Sequence, residues 1–464
     1  MADETRTITL DYQLLGPSED GTVSDLLSEL SSPTEGHQRL QALIAEWLQM
    51  ENLVVLTGAG CSFSAGGKLM TGLEAAVLEA VLQVPDLPKS IATVVDHRLA
   101  PPSPTASRYG FESWLSFVAN AHFLAASHTG PIESVTWRGG VIPTAAELKW
   151  LLDHIGAAVF AECALPLTQL GDNPPAHVPF LAKLVARDSN LGRAHLFTLN
   201  YDTLFEQALE VLGIQYFDGF TGRANGRFDP SVYGLDIYYP GEVAEGRVRR
   251  FDKFLHFYKL HGSIHWQVRD DEILARHPDL SETEHYQNMK TAEKAVLLSQ
   301  MTATLPPVGI LPTANKLSQT LAMPFSHLFR SLQIRLSVPQ TFLLVLGYGF
   351  GDDHVTRIIE SALMNPSLVM LVVEPDPFSD TIRRVREYRE LGKRAFVLAP
   401  STAAFASKPF QVATFDDFSR SVMPDVQWLD DFLRLRRFEK QIQKSTSASA
   451  NEMARQFTSK SVED

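Results

Sequence analysis

The sequence contains very little cysteine. Only two cysteines occur among 464 residues, Cys61 and Cys163. A disulfide framework needs several cysteine pairs, and a zinc site built from cysteine pairs needs more thiols than these, so both are excluded. We therefore expect a protein of a reducing compartment that has no zinc ribbon and no metal in its site.

Positive charge and long apolar runs are also scarce. The chain carries 41 Lys and Arg against 54 Asp and Glu, which gives a formal net charge of −13 at pH 7. Because binding to phosphates needs clustered positive charge, we expect no direct nucleic-acid binding. No apolar run approaches the roughly 20 residues that cross a bilayer, and residues 1–10 lack the apolar core of a signal peptide. The sequence predicts a cytoplasmic protein without membrane contact.

Apolar residues are present in ordinary amount, and their arrangement predicts the fold class. They make up 45% of the chain, enough for a sizeable core. Short continuous apolar runs bounded by turn residues are typical of buried strands, and six occur, at 53–56, 194–198, 254–260, 341–346, 368–373 and 395–398. Helices or long connections separate these runs. This is the pattern of an α/β fold with a doubly wound, parallel, Rossmann-like sheet of about six strands.

Composition suggests three segments along the chain. Residues 1–36 are rich in Ser, Glu, Gly and Pro and are predicted to form an extended N-terminal arm rather than a packed element. Residues 37–423 are predicted to form one catalytic α/β domain, with a helical insertion subdomain at about 73–190. Residues 424–464 begin as an amphipathic helix and continue into a Ser-rich tail that we expect to be disordered.

The first motif is the turn that follows the strand at 53–56. It contains Gly58, Ala59, Gly60 and Ser62. Glycines at a strand-to-helix turn let a pyrophosphate approach the backbone N–H groups and the helix N-terminus. Tight packing of a turn produces the same pattern, so this motif alone leaves both interpretations open.

The second motif follows the strand at 194–198. Thr198, Asn200 and Asp202 lie where ligands bind in open α/β sheets, outside the carboxyl end of a strand. Asn200 can hold a water or a ribose hydroxyl without titrating. Asp202 either belongs to the same site or caps the helix that starts near residue 203.

The third motif is a histidine at a strand end. His261 follows the run at 254–260 and precedes Gly262. An imidazole in this position faces the same edge of the sheet, and its ordinary pKa suits general base catalysis. A structural role is the alternative for a single histidine.

Two further strand ends carry candidate binding residues. Three glycines occur within residues 347–351, which implies close approach of the backbone to a ligand or to a neighbouring segment. Asp352 or Asp353 is interpreted as the N-cap of the next helix. Glu374 ends the following strand, where carboxylates commonly bind ribose hydroxyls. The candidates here are Gly347, Tyr348, Gly349, Phe350 and Glu374.

In this order and spacing the motifs resemble the sirtuin superfamily. The resemblance rests on Gly-Ala-Gly-x-Ser, Thr-x-Asn-x-Asp, a strand ending in His-Gly and a glycine-rich strand end. It implies that NAD is bound and consumed, with Asn200, Asp202 and His261 as catalytic residues. The residues that it implies for NAD binding are Gly58, Ala59, Gly60, Ser62, Thr198, Gly347, Tyr348, Gly349 and Phe350. Glu374 joins this set only through its position at a strand end.

The departures from sirtuin deacylases narrow the expected reaction. The zinc-ribbon cysteines are missing, Leu199 replaces the usual Gln, and 65–70 reads Ala-Gly-Gly-Lys-Leu-Met instead of Gly-Ile-Pro-Asp-Phe-Arg. The motifs are more similar to sirtuin-like NAD hydrolases of bacterial anti-phage defence, which deplete NAD in abortive infection. This resemblance implies an NAD+ glycohydrolase, a homo-oligomer and a HerA-type ATPase partner. The alternatives are a protein deacylase or ADP-ribosyltransferase, and a non-catalytic nucleotide-sensing assembly module.

Overall fold

The computed structural model describes residues 10–17, 23–28, 32–100, 110–127, 136–167, 174–188, 190–222, 226–244, 247–269, 272–275, 289–290, 293–296, 298–299 and 323–425. The strands are β1 (Tyr12–Pro17), β2 (Val23–Asp25), β3 (Asn52–Thr57), β4 (His195–Thr198), β5 (Gln215–Phe217), β6 (Phe220–Thr221), β7 (Gly226–Phe228), β8 (Tyr238–Ala244), β9 (Arg247–Arg250), β10 (Phe254–Lys259), β11 (Trp266–Arg269), β12 (Glu272–Ala275), β13 (Thr341–Leu346), β14 (Val369–Val373) and β15 (Ala395–Pro400).

The helices lie between these strands and after the last of them. They are α1 (Pro33–Leu48), α2 (Met70–Leu82), α3 (Lys89–Leu99), α4 (Phe111–Ala126), α5 (Ala145–Cys163), α6 (His177–Val185), α7 (Leu204–Val211), α8 (Phe325–Ser337), α9 (Asp353–Ala362), α10 (Asp380–Glu390), α11 (Thr402–Ser407) and α12 (Phe415–Asp417). A 3₁₀ helix at Ala59–Ala65 follows β3, a second lies at Pro230–Gly234, and a π-helical turn lies at Phe418–Val422.

The main sheet has nine strands in the order β2-β1-β15-β14-β13-β3-β4-β10-β5. All six predicted strands are present and form its parallel centre, which confirms a mixed α/β, Rossmann-like fold. The predicted number of about six strands is wrong. The additional strands are β5, of only three residues, and the antiparallel pair β1 and β2 beyond β15.

Part of the predicted N-terminal arm is packed into this sheet. Residues 12–15 pair with β15 in antiparallel register, from Tyr12 with Pro400 to Leu15 with Val397. Leu14 is fully buried in this strand. Residues 12–17 therefore form a packed strand, although the composition of this segment predicted an extended arm. Of the predicted C-terminal helix and tail at 424–464, all but 424 and 425 lie outside the described residues.

Helices cover both faces of the sheet. Alternate residues of β3 enter different cores, because Leu53 and Val55 belong to one cluster and Val54 and Leu56 to the other. Helices α1, α6 and α7 supply the first cluster, and α8, α9 and α10 supply the second. The strands are hence buried on both sides, which is why they appear in the sequence as continuous apolar runs.

A third core lies in the helices that connect β3 to β4. Apolar residues of α2, α3, α4 and α5 pack together there, with Val77, Leu115 and Leu151 fully buried. Helix α5 starts with a capping box in which Thr144 and Glu147 satisfy each other's backbone N–H groups. Across the described residues, no helix is both long and apolar enough to cross a membrane.

The central strands end level with one another. Leu346 of β13 pairs with Thr57 of β3, Thr57 with Thr198 of β4, and Thr198 with Lys259 of β10. Since all four strands are parallel, the residues that follow this row emerge at the same edge of the sheet. That edge carries the four motifs singled out in the sequence.

Helix α6 contains a buried histidine, His177. His177 packs against the rings of Phe205 and Phe415 at 4.7 and 5.0 Å between centroids. Within the described residues, neither of its ring nitrogens has a hydrogen-bond partner. Burial lowers the pKa of His177 from 6.5 to about 3, because an imidazolium would lose its hydration there.

We expect His177→Phe to reduce the loss of stability in acid. The folded protein keeps His177 neutral while the unfolded chain protonates it, so its contribution is present above pH 6.5 and is lost as the pH falls towards 3. From the two pKa values the substitution should remove about 2 kcal/mol of the decrease in unfolding free energy between pH 7 and 5. Urea unfolding of both proteins across this range measures it, and parallel curves would contradict the assignment.

Candidate functional site

Two glycine turns at the sheet edge pack directly against each other. The N–H of Gly58 donates to the carbonyl of Leu346, and the N–H of Gly60 donates to the carbonyl of Gly347, both at 3.0 Å. A Cβ built at Gly347 would lie 2.6 Å from the backbone nitrogen of Cys61. Only glycines allow this approach, and Gly347 also has a φ of 61°.

This packing accounts for the close backbone approach that the glycine-rich turns imply. The close approach implied by the glycines is made by one backbone segment to another, after β3 and β13. The N–H groups of Gly58 and Gly60 are already engaged there. The turn continues into the 3₁₀ helix at Ala59–Ala65, which buries Ser62 and directs it towards β4.

Asn200 is held in one orientation by its amide nitrogen. Nδ2 donates to the carbonyl of Gly58 at 3.0 Å and to Oγ of Ser62 at 2.9 Å. Because a backbone carbonyl only accepts hydrogen bonds, the side of the amide that faces Gly58 must be the nitrogen. The backbone N–H of Asn200 also donates to Oγ1 of Thr198 at 3.1 Å. The amide oxygen is thus the atom of Asn200 that can accept a hydrogen bond from water or substrate.

Asp202 completes this network and also supports the following helix. Its Oδ2 accepts from Oγ of Ser62 at 2.6 Å, and its Oδ1 accepts from the N–H of Leu204 at 3.2 Å. Hydrogen bonds therefore run from Asn200 through Ser62 to the carboxylate. Burial raises the pKa of Asp202, while the positive charge of Lys259 opposes that shift. The N-cap of α7 is Thr203, so Asp202 lies one residue before the cap and contacts the helix only through Oδ1.

His261 lies at the end of the neighbouring strand, paired with a carboxylate from across the sheet edge. Its Nε2 is 3.0 Å from Oδ2 of Asp352, and both side chains are buried. A turn closed by the N–H of Gly262 and the carbonyl of Lys259 presents it, with Gly262 at a φ of 86°. The rings of Tyr201 and Phe329 lie 6.3 Å away. Asp352 is thus the carboxylate that faces the His261 ring across the sheet edge.

Asp352 is a functional candidate that the sequence analysis treated only as a helix cap. It is the N-cap of α9, and its Oδ1 accepts from the N–H of His354 at 3.0 Å. The other oxygen is left to face His261. The signal that could have identified it is its place after a glycine-rich strand end, on the strand that flanks the first glycine turn.

The remaining predicted residues, which follow β13, have mainly structural contacts. The hydroxyl of Tyr348 donates to the carbonyl of Asp352 at 2.9 Å, and Phe350 is buried with a φ of 56°. The hydroxyl of Thr356 donates to the carbonyl of Phe350 at 3.3 Å. A Cβ added to Gly349 would meet nothing within 4 Å. Only this last glycine of the predicted set faces open space.

Glu374 lies one strand further from the centre. It follows β14, whose last residue pairs with Leu346, and its Oε1 accepts from the N–H of Asp376 at 3.1 Å. Burial raises the pKa of Glu374. Among the contacts between described residues, none joins Glu374 to Asn200 or His261. The structure thus joins Ser62, Asn200 and Asp202 in one hydrogen-bonded network. His261 follows the neighbouring strand β10, and Glu374 lies at the end of β14.

Comparison with known proteins supports a sirtuin-like relationship. Residues 194–394 match the family described as SIR2-like domain. This segment contains the two motifs at Asn200 and His261 as well as Asp352, and it supports the sirtuin-like superfamily. The comparison with curated proteins gives no match. Among the described residues, no group of three or more His, Cys, Asp or Glu could hold a metal ion.

Proposed function

We propose that this chain hydrolyses NAD+ at the bond between nicotinamide and ribose. The match to a SIR2-like domain supports a sirtuin-like, NAD-related function. The observation that carries the proposal is the oriented amide of Asn200, hydrogen-bonded to Ser62 and Gly58 beside the His261–Asp352 pair. A neutral amide oxygen and an imidazole at one edge can together position and deprotonate a water.

The proposed reaction has one bond breaking and one forming at the anomeric carbon. The C–N bond breaks, and its electron pair leaves with nicotinamide, whose ring nitrogen thereby loses its positive charge. Water, oriented by the Asn200 amide oxygen, adds to the oxocarbenium-like carbon, and its proton passes to His261. Asp352 stabilises the imidazolium that forms, as a buried carboxylate does for a histidine base. The products are nicotinamide and ADP-ribose.

The rest of NAD is proposed to lie along the two glycine turns. The pyrophosphate and adenosine would contact residues 58–62 and 347–350. Thr198 would lie beneath the bound NAD at the end of β4, and Glu374 would bind a ribose hydroxyl. Since the N–H groups of Gly58 and Gly60 are engaged, phosphate binding there has to use other donors of these turns.

The biological setting is proposed from the resemblance of the motifs. NAD depletion would make the chain an anti-phage effector, active in the cytoplasm as a homo-oligomer and regulated by a HerA-type ATPase. An effector of this kind needs an inactive state, because constitutive NAD hydrolysis would harm its own host.

The test is to incubate the purified protein with NAD and to separate the products by chromatography. We expect stoichiometric nicotinamide and ADP-ribose, with cyclic ADP-ribose measured in the same run. Nicotinamide release that requires an acyl-lysine peptide, or label transferred to a protein, would indicate a deacylase or transferase. Binding of NAD without turnover, alone and with candidate partners, would indicate a nucleotide-sensing module.

We expect Asp352→Asn to separate the two roles of this residue. Asparagine is an equally good N-cap, so the free energy of unfolding should change by less than about 1 kcal/mol. The loss of the negative charge beside His261 should lower kcat by about tenfold to a hundredfold. Asp353→Asn, a change at the exposed neighbouring carboxylate, is the matched control. Wild-type kcat in Asp352→Asn would contradict the proposed pair.

A further inference from the structure

Lys259 is a buried lysine at the end of β10. Only 3% of the residue is exposed. Removing an ammonium group from water is costly, so lysines are almost never buried without compensating partners. The partners of Lys259 therefore indicate what it does.

The side chain of Lys259 binds the loop that carries Asn200 and Asp202. Its Nζ donates to the backbone carbonyl of Asp202 and, at 2.7 Å, to Oε1 of Glu206 in the first turn of α7. Among the described residues, Oε2 of Glu206 has no hydrogen-bond partner. Glu206 thus depends on Lys259 for compensation of its charge.

The backbone of Lys259 supports the other half of the site. Its carbonyl accepts from the N–H of Gly262 at 3.2 Å and closes the turn that presents His261. One residue therefore connects the Asp202 loop, through its side chain, to the His261 turn, through its main chain. Lys259 also pairs in register with Thr198, where both strands end.

We propose that Lys259 is a positioning residue of the site, which fixes the Asn200–Asp202 loop relative to His261 and holds Asp202 as a carboxylate. The proposal rests on the proposed NAD hydrolysis. An ionised Asp202 only accepts hydrogen bonds, so the proton of the Ser62 hydroxyl lies between these two side chains. Ser62 can then accept from the Asn200 amide, which keeps the amide oxygen in place.

Charge around Asp202 makes Lys259 the group that matters. The carboxylate of Glu206 on α7 repels the carboxylate of Asp202. Burial raises the pKa of the thiols of Cys61 and Cys163, so these two thiols are neutral. Lys259 supplies the positive charge that faces Asp202 from β10. Without it, Asp202 would take up a proton at a higher pH.

The first variant is Lys259→Met, which keeps the length of the side chain and removes its charge. We expect kcat for NAD hydrolysis to fall about tenfold with KM within about threefold, because substrate contacts are unchanged while the site loses its alignment. In the plot of kcat against pH, the acid limb, where kcat falls at low pH, should shift to a pH about one unit higher. Lys253→Met, at an exposed lysine just before the same strand, should leave both unchanged.

A second variant keeps the test valid if the first folds poorly. Lys259→Met leaves Glu206 and Asp202 buried without a cation, so its unfolding free energy should fall as the pH rises from about 5 to 8. The double variant Lys259→Met/Glu206→Gln removes one of these charges and should regain most of this stability. It should retain the low kcat and the shifted acid limb.

The outcomes separate this proposal from the proposed function. A double variant with wild-type kcat and an unshifted limb would show a purely structural lysine and overturn the proposal. Equal effects of Lys253→Met would overturn it as well. Absence of NAD turnover in the wild-type protein would instead contradict the proposed function. In that case the unfolding measurements still test the proposal. If the unfolding free energy of Lys259→Met does not fall as the pH rises, Lys259 does not hold Asp202 as a carboxylate.

Discussion

Asn200→Ala is expected to abolish NAD hydrolysis while the protein remains folded. The substitution removes the amide oxygen that orients the water and leaves Ser62 and Gly58 without a donor. Losing one well-placed polar group in a buried site typically costs two to three orders of magnitude, so kcat should fall by roughly 10³. Product chromatography measures the rate, and circular dichroism with urea unfolding measures the fold.

His261→Ala should have a similar effect on kcat, because it removes the proposed base. Asn190→Ala, a change at an exposed asparagine, is the control and should retain wild-type turnover. If His261→Ala and Asn200→Ala both release nicotinamide at the wild-type rate, the proposed chemistry is wrong. If both fail to fold, Asp352→Asn becomes the decisive variant because it preserves the N-cap.

Gly347→Ala is expected to be the most destabilising single-methyl change at the sheet edge. The added Cβ would lie 2.6 Å from the nitrogen of Cys61 and 2.9 Å from Cα of Gly60. Both are backbone atoms, so no side chain can move aside, and the φ of 61° adds strain for an alanine. Relieving the clash means separating β3 from β13, and we expect a loss of at least about 3 kcal/mol in unfolding free energy.

Gly349→Ala provides the matched comparison two residues away. A Cβ there would meet nothing within 4 Å, and this glycine is not among those with positive φ. Its unfolding free energy should change by less than about 0.5 kcal/mol. Urea denaturation of the two variants under identical conditions measures the difference. Equal stabilities would mean that the two turns are not held together by glycine contacts.

The centre of the fold was predictable because its strands are buried on both faces. Each of β3, β4, β10, β13, β14 and β15 appears in the sequence as an uninterrupted apolar run. The edge strands carry no such signal. β5 has only three residues, with partly exposed side chains. β1 forms by pairing with a strand hundreds of residues away in the sequence. Composition cannot report a partner so distant in sequence.

The sequence indicated which strand ends carry candidate site residues, but it did not indicate the hydrogen bonds and ion pairs that hold these residues. Asn200, Asp202 and His261 each follow an apolar run that the sequence identifies as a buried strand. The partners came from residues with a simpler interpretation, since Asp352 has the usual position of a helix cap and a lysine such as Lys259 is usually solvent-exposed. The burial of these two side chains is what distinguishes them from an ordinary cap and an ordinary surface lysine, and burial depends on the tertiary structure.

The glycine turns show the opposite situation. Their pattern identified a close approach correctly but could not identify which atoms approach. The structure assigns the second segment at Gly347 to that role. Two motifs that looked independent in the sequence are one structural unit.

The position of β1 has a consequence for how the polypeptide is made. Its partner β15 and the carboxylate of Asp417, which accepts from Tyr12, lie up to 405 residues later in the chain. At ribosomal rates of about 5–20 residues per second, this segment waits for roughly 20–80 s before its docking surface has been synthesised. During translation the nascent chain therefore exposes an unpaired strand with apolar side chains, which makes this interval the period in which chaperone protection matters most.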